Sequence, residues 1–531
     1  MAACSDYFRV MLTGQMRESR EECVELKGVT ASGLTVVVDF AYTGRLELTT
    51  DNVEDVLSAA SHLQVSVAVE LCSKYLETAL TVFNCTDILN LAQMYALTPT
   101  QDKAMAFMMD NFEVVSTSEQ FNKLTHSQLA SMLMSNSLRV PSEYKLFTLV
   151  LQWIEHHQDR MDYLAQLMKQ VRLPLLAGEE LVEKVSKVEM MKNNSECSDL
   201  LTEAKDYHIV TGKQPVLQST RTQVRSNRPS IVMSHAQNLE CYTFQGLTFL
   251  QNKHHGFLRD APIPLFNPSI AVLDNFMYAC GGKYDSTENN EIATARCFRY
   301  DPRFDSWFEI AAMNESRKDF VVVSLNGKLY AVGGQDENMV MCTVECYTVA
   351  TEEWELCASI SHSCYGHAGS ICGGKIYISG GQRFSGCANN MSCYTLATNT
   401  WEEKAFMLHG RCNHVMMEVQ GKMYVIGGNI EDSYGFPVPI IAMEFYDPDT
   451  DQWSLCKTNC NIREAGAAML NDKIYIVGGI NGEHYYSDLL QEYEPAADKM
   501  TIVDRFPTRV YGRACCILTL SNYLSGIGSI V

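Results

Sequence analysis

Between residues 142 and 157 apolar side chains return every three or four places. Leu146, Leu149, Val150, Trp153 and Ile154 share one face of a helix that opens at Pro141-Ser142 and closes at His156-His157. The same helical period runs through most of residues 1–210, where Asp51 and Glu54 give a capping-box pattern for a helix over 53–63. Beyond residue 229 the pattern changes. Short apolar runs alternate with turns, and five of them end on a glycine pair: Gly281–Gly282, Gly333–Gly334, Gly380–Gly381, Gly427–Gly428 and Gly478–Gly479. Successive first glycines lie 52, 47, 47 and 51 residues apart, the step of a repeat architecture.

Aromatic residues keep step with the glycines. Tyrosine stands three places before each pair (Tyr278, Tyr330, Tyr377, Tyr424, Tyr475). Tryptophan follows in four repeats (Trp307, Trp354, Trp401, Trp453), with Tyr300, Tyr347, Tyr394 and Tyr446 seven places ahead of it. The fifth repeat keeps Tyr493 but has Met500 in the tryptophan place. Each repeat reads as four strands. In the second, an apolar strand over 320–325 meets the hairpin turn Asn326-Gly327, and a second apolar strand runs to Gly333–Gly334. A variable loop then leads to strands carrying Tyr347 and Trp354. Inner strands crowding an axis call for residues without a Cβ, whereas diverging outer strands call for large rings between sheets.

This register resembles the Kelch repeat, which implies a β-propeller over 229–520. An upstream strand at 230–233, followed by Glu240-Cys241-Tyr242 and Phe249, reads as a degenerate blade lacking its first strand. Residues 512–518 read as a first strand lacking its blade, so pairing the two predicts a six-bladed ring without exposed edges.

The helical half resembles two further modules. Ala3-Cys4-Ser5-Asp6-Tyr7-Phe8, Val24-Glu25-Leu26, Phe40-Ala41-Tyr42-Thr43-Gly44 and Ala59-Ala60-Ser61-His62-Leu63-Gln64 are similar to a BTB domain over 1–80. Asn111-Phe112, Val171-Arg172-Leu173-Pro174-Leu175 and Glu203-Ala204-Lys205-Asp206-Tyr207 are similar to a BACK domain over 81–210. BTB, BACK and Kelch in that order is the architecture of Kelch-like proteins. The expected fold is therefore multidomain: a truncated α/β BTB, an α-helical BACK domain and a six-bladed Kelch β-propeller. The BTB match starts downstream of the strand, helix and hairpin that build the family's swapped homodimer, so a shortened domain without that dimer is expected. Residues 211–228, rich in Gln, Ser, Thr and Arg and free of acid, read as a solvated linker, and 521–531 as a tail.

Composition narrows the partners. A net charge of −21 disfavours phosphate backbones and anionic lipid, leaving nucleic acid and membranes as poor candidates. None of the 20 cysteines falls in a Cys-x-x-Cys pair, and the chain opens without a basic-then-apolar leader. Reduced thiols in the cytoplasm or nucleus are the expectation.

No catalytic motif emerges, and no cofactor is expected. His362, Cys364 and His367 lie close in sequence on a loop leading into a blade without an evident fourth ligand. Tyr446 to Trp453 superficially resembles an Asp box but lacks its glycine. The resemblance instead implies a non-catalytic adaptor that binds a cullin scaffold through BTB and BACK and an unidentified protein substrate through the propeller, for ubiquitin transfer. The family's cullin motif, an apolar residue, any residue, then glutamate, falls on Met16 and Glu18, and helices over about 81–97 would complete that surface. Loops of variable length lead into each blade and follow each glycine pair. They carry Arg317, Arg383, Arg411 and Arg463, which together would suit an acidic or phosphorylated peptide. A cytoskeletal scaffold binding actin, or a metalloenzyme using the axial channel, are the rival classes.

Overall fold

The computed structural model describes residues 4–13, 24, 26–226, 229–235, 238–245, 248–249, 256–263, 266–286, 290–384, 386–506 and 514–521. They belong to two compact units, Met1–Val171 and Arg172–Val531.

The first unit is helical. Its helices include Asp6–Thr13, Ala31–Thr43, Val53–His62, Ser66–Thr78, Cys85–Met94, Thr98–Asp110, His126–Met134 and Glu143–Glu155. The last of these obeys its sequence pattern: Ser142 accepts a hydrogen bond from the Lys145 amide, and Leu146, Val150, Trp153 and Ile154 are buried. The capping box at Asp51 and Glu54 does not form. Asn52 is the N-cap residue of that helix, and its side chain turns back to the Thr49 amide (2.8 Å). A capping box does form at Thr125 and Gln128. Among the described residues this unit contains no strand; residues 14–23 and 25, between the first two helices, lie outside the description. No helix among the described residues is long and apolar enough to cross a membrane.

The second unit opens with helices Gly178–Glu183, Glu189–Asn193 and Ser195–Ile209 and continues into the β-rich region. The stretch expected to be a solvated linker is instead seated on the first blade. Gln214, Thr222, Arg225 and Ser226 are buried. The Arg299 guanidinium donates to the carbonyls of Thr211 (2.8 Å) and Gly212 (3.2 Å), and Arg303 donates to the Thr222 carbonyl (2.7 Å). Both guanidinia lie over the Phe276 ring, at 4.9 and 4.1 Å. Backbone carbonyls, which composition does not reveal, provide the attachment.

Five four-stranded antiparallel blades follow. In the second, Val321–Leu325, Lys328–Val332, Val344–Thr348 and Glu353–Cys357 pair in chain order, and the other four repeat this scheme. The Asn326-Gly327 turn has φ of +51° and +74°, the mirror-image geometry a two-residue hairpin needs. The hydrophobic core lies between blades. Phe276, Tyr278 and Cys297 of the first pack against Val322, Leu329 and Tyr347 of the second, and similar clusters fill the later gaps.

The aromatic register is a latch between neighbours. Tyr300, Tyr347, Tyr394 and Tyr446 each pack on the tryptophan seven places on, with centroids 5.0–5.3 Å apart. Each tryptophan N–H donates to a carbonyl just beyond the outer strand of the preceding sheet: Trp354 to Ala311, Trp401 to Ala358, Trp453 to Ala405, all at 2.8 Å. The ring thus fills the widening gap and satisfies a backbone group there.

The six-bladed expectation is corrected to five Kelch blades. The strand pairing foreseen between the two ends of the region does form, Ile231 opposite Ile517. That sheet, however, is a composite closing element. It has Ser234-His235 where a glycine pair would stand, and two fragments, Thr248–Phe249 and Gly256–Leu258, share Asn238–Gln245 in place of one outer strand. Its Ile231 and Met233 pack on the fifth blade, and its Val232 and Leu518 on the first.

Candidate functional site

Antiparallel order fixes which loops share an end of the propeller. Strand one runs away from that end, strand two returns, and the chain alternates again through three and four. Loops after the glycine pairs and loops leading into blades therefore crowd the same face, while the tight hairpins occupy the other. Hydrogen bonds tie neighbouring loops together there. Glu337 after the second glycine pair accepts from the Ala293 amide after the first (2.7 Å), and Gln382 after the third donates to Glu431 after the fourth (2.9 Å).

The glycine pairs position this face. Gly333 and Gly334 have φ of +58° and +97°, and a Cβ on Gly334 would stand 2.6 Å from Phe320 Cβ. The second glycine's amide donates to the loop leading into the following blade: Gly282 to the Arg317 carbonyl (2.9 Å), Gly334 to Cys364 (2.9 Å), Gly381 to Arg411 (2.9 Å) and Gly428 to Ile462 (2.8 Å). Positive φ and this close approach between loops, more than crowding at the axis alone, explain the doubled glycine.

The backbone of Arg317 and Arg411 thus belongs to the latch, and their side chains turn inward. Both residues are 0% exposed. Arg317 donates to the Gly333 carbonyl (2.8 Å), the Thr343 carbonyl (3.0 Å) and Glu345 (3.0 Å), and Glu345 also accepts the Asn314 amide (2.6 Å). Arg411 repeats the arrangement with the Gly427 and Ala442 carbonyls (2.9 Å each) and with Glu444, which also accepts from His409 Nδ1 (2.7 Å). Burial pulls the Arg411 guanidinium down from its ordinary value, and Glu444 opposes that. These two arginines hold the fold of their blades and offer no free charge to a ligand, which corrects the expectation that they contact a substrate.

Glu345 and Glu444 escaped the sequence reading although a signal existed: each stands two places before the blade tyrosine, and a glutamate appears there where the sixteenth residue before the glycine pair is arginine. In the third blade the corresponding residues are Cys364 and Ser392. A cleft of about 10 Å³ lies there, lined by Ile360, Cys364, Ile378, Arg383, Asn390 and Ser392. Burial pushes the Cys364 thiol up to about 12, and its Sγ lies 3.5 Å from His367 Nδ1. His362 points instead to Glu403 (3.6 Å) and is half exposed, so it does not join Cys364 and His367. Among the described residues no group of three His, Cys, Asp or Glu is placed to hold a metal.

Arg383 and Arg463 do lie at the loop face, both half-buried. Arg383 lines the third-blade cleft; Arg463 pairs with Glu464 (3.2 Å). Nearby, Cys387 Sγ and Cys412 Sγ are 2.8 Å apart, and this contact lowers the Cys387 thiol below its ordinary value. Met16 and Glu18 fall outside the described residues. Helix Cys85–Met94, within the region expected to complete the cullin surface, leaves Phe83 and Met94 exposed beside its ends.

Comparison with known proteins agrees with this division. Residues 1–80 match the BTB/POZ domain, and residues 85–186 match BACK (BTB And C-terminal Kelch). Residues 267–479 and 319–520 match the KLHDC2/KLHL20/DRC7 Kelch-repeats domain, a span that starts downstream of the closing strands 229–258. Over 98% of its length the chain is 34% identical to Kelch-like protein 26 of Danio rerio, covering 87% of that protein. It is likewise 39% identical to Kelch-like protein 13 of Homo sapiens (98% of this chain, 80% of that one) and to Kelch-like protein 9 of Mus musculus (98% and 85%).

Proposed function

This chain belongs to the Kelch-like family of BTB, BACK and Kelch-repeat proteins, and from that premise we propose that it is the substrate-recognition adaptor of a cullin-RING ubiquitin ligase of the cullin three type, acting in the cytoplasm. The observation that carries the reading is the union, in one chain, of the two helical modules and a propeller whose variable loops gather on a single face. The helical part binds the cullin scaffold through Met16, Glu18 and the helices that begin the BACK domain. The propeller face binds a protein substrate, with Arg383 and Arg463 within reach of it. The chain supplies no chemistry of its own: holding a substrate lysine near a charged ubiquitin carrier raises its effective concentration, and other subunits transfer the ubiquitin.

Affinity purification of the full chain from cells tests this. Cullin should co-purify with the wild type and fall at least fivefold with Met16→Asp and Glu18→Lys combined. No cullin on the wild-type chain, or undiminished cullin on the double variant, refutes the assignment.

A further inference from the structure

With Arg317 and Arg411 consumed inside their blades, the loop face is not the cationic mouth that four arginines would make. Among residues whose side chains are described, the five loops that follow the glycine pairs (283–293, 335–343, 382–390, 429–441 and 480–488) hold six carboxylates, Asp336, Glu337, Glu431, Asp432, Glu483 and Asp488, against two cations, Lys283 and Arg383. The same loops expose large apolar side chains: Met339 (60%), Phe384 (110%), Tyr434 (84%), Phe436 (67%), Tyr485 (57%) and Tyr486 (45%). They belong to four consecutive blades.

We propose that this face takes a basic, apolar-anchored segment of its partner, one in which arginine or lysine alternates with aliphatic or aromatic residues. The inference rests on the adaptor reading and names the class of substrate segment that reading leaves open.

Charge decides the class. Two cations on the loops leading into blades are already engaged: Lys318 with Glu337 (3.0 Å) and Arg463 with Glu464 (3.2 Å). Arg383 is half-buried in the wall of the third-blade cleft. Among the described residues, the carboxylates of Asp336, Glu431, Asp432 and Glu483 have no cation partner. Asp336 receives the amides of Asn338 and Met339 (2.7 Å each), which hold its carboxyl below the usual range, so it stays ionised. Asp432 receives the amides of Tyr434 (2.8 Å) and Phe436 (2.9 Å), and those contacts present both rings to solvent. Glu431 and Glu483 are exposed on adjacent blades. Exposed rings beside uncompensated carboxylates attract cations twice, through the ring face and through the carboxylate, and arginine satisfies both with one planar group. Tyrosine and phenylalanine on loops also supply the large, stiff contact area typical of interface anchors.

The test is a positional-scanning peptide array, with phosphoserine and phosphothreonine sets included, probed with the purified full chain. Arginine and lysine should be enriched next to Leu, Ile or Phe, and acidic and phosphorylated positions depleted. Enrichment of Asp, Glu or phosphoserine, or no positional preference, overturns the proposal. The best basic peptide, followed by fluorescence anisotropy, should bind at least tenfold more weakly to Glu431→Lys/Glu483→Lys and to Tyr434→Ser/Phe436→Ser. Equal binding by either variant sinks it. All four side chains are exposed, so an unchanged melting temperature verifies the fold of each variant. Cullin co-purification, read on the same variants, separates the two claims. Wild type without cullin fails the adaptor reading; an acidic array preference with cullin retained fails the peptide class alone.

Discussion

Arg317→Cys is the most informative single perturbation, because the molecule contains its own control. Arg317 and Glu345 are both 0% exposed. The substitution strips donors from the Gly333 and Thr343 carbonyls and leaves Glu345 a buried carboxylate, still receiving the Asn314 and Glu315 amides but facing no cation. Breaking one half of a buried, hydrogen-bonded ion pair costs about 3–5 kcal/mol. The third blade meets the same spot with Cys364 and Ser392, a neutral small pair. Arg317→Cys/Glu345→Ser should therefore recover at least about 2 kcal/mol of the single loss, a coupling of the size expected for residues in one network. Hydrogen exchange measured by mass spectrometry on Val321–Leu325 and Val344–Thr348 reads the local opening energy in the full chain. At about 1.4 kcal/mol per tenfold, the single variant should exchange at least a hundredfold faster, and the double variant distinctly slower than the single. A single variant within tenfold of wild type, or losses that simply add, would refute the argument that the pair acts as a unit.

Three other outcomes follow from the same geometry. Gly334→Ala should cost about 2–5 kcal/mol from positive φ and overpacking against Phe320, whereas Gly327→Ala, also at positive φ but with nothing within 4 Å, should cost about 1 kcal/mol; equal melting temperatures would contradict this. Arg299→Ala should release 211–226 from the first blade and speed tryptic cleavage after Lys213, Arg221 and Arg225 several-fold, and an unchanged digestion pattern would show that the segment holds without it. Asp451 accepts from the Tyr446 hydroxyl (2.6 Å) and the Ala405 amide, which lowers its carboxyl below the usual 3.8. Its stabilisation is present above the unfolded value and is lost as pH falls through the lowered folded value. Asn399 makes the same contacts in the third blade, so Asp451→Asn should leave neutral stability nearly intact while flattening the acid limb of the unfolding curve.

Repetition made the blades readable. One such step proves little, but five glycine-pair and tyrosine steps in register, four of them with tryptophan, identify strands, turns and the packing of each tryptophan. Closure was harder, because the pairing of Ile231 with Ile517 joins segments nearly three hundred residues apart, and Ser234-His235 stands where the repeat has its glycine pair. Counting these pieces as a sixth copy treated adjacency in a ring as identity of construction. The arginines were misjudged for a related reason. A charged residue on a variable loop reads as solvent-facing unless its partner is sought, and Glu345 lies 28 positions on, hidden in an apolar strand between Val344 and Cys346. The linker misled through composition: polar side chains suggested water, while its carbonyls were what Arg299 and Arg303 grip. The exposed rings of the loops have no period at all, and only the alternation of strand direction brings them together.

In the first four glycine pairs the second glycine gives its amide to a backbone carbonyl of the loop entering the next blade. Because that hydrogen bond is to the backbone, it forms whether the residue is arginine, cysteine or isoleucine; what must match is the buried partner inside the blade, glutamate for arginine and serine for cysteine. Exposed residues after the glycine pairs, such as Tyr434 and Phe436, answer to neither requirement, so a lineage can rewrite what the face recognises one blade at a time while the spokes stay in register.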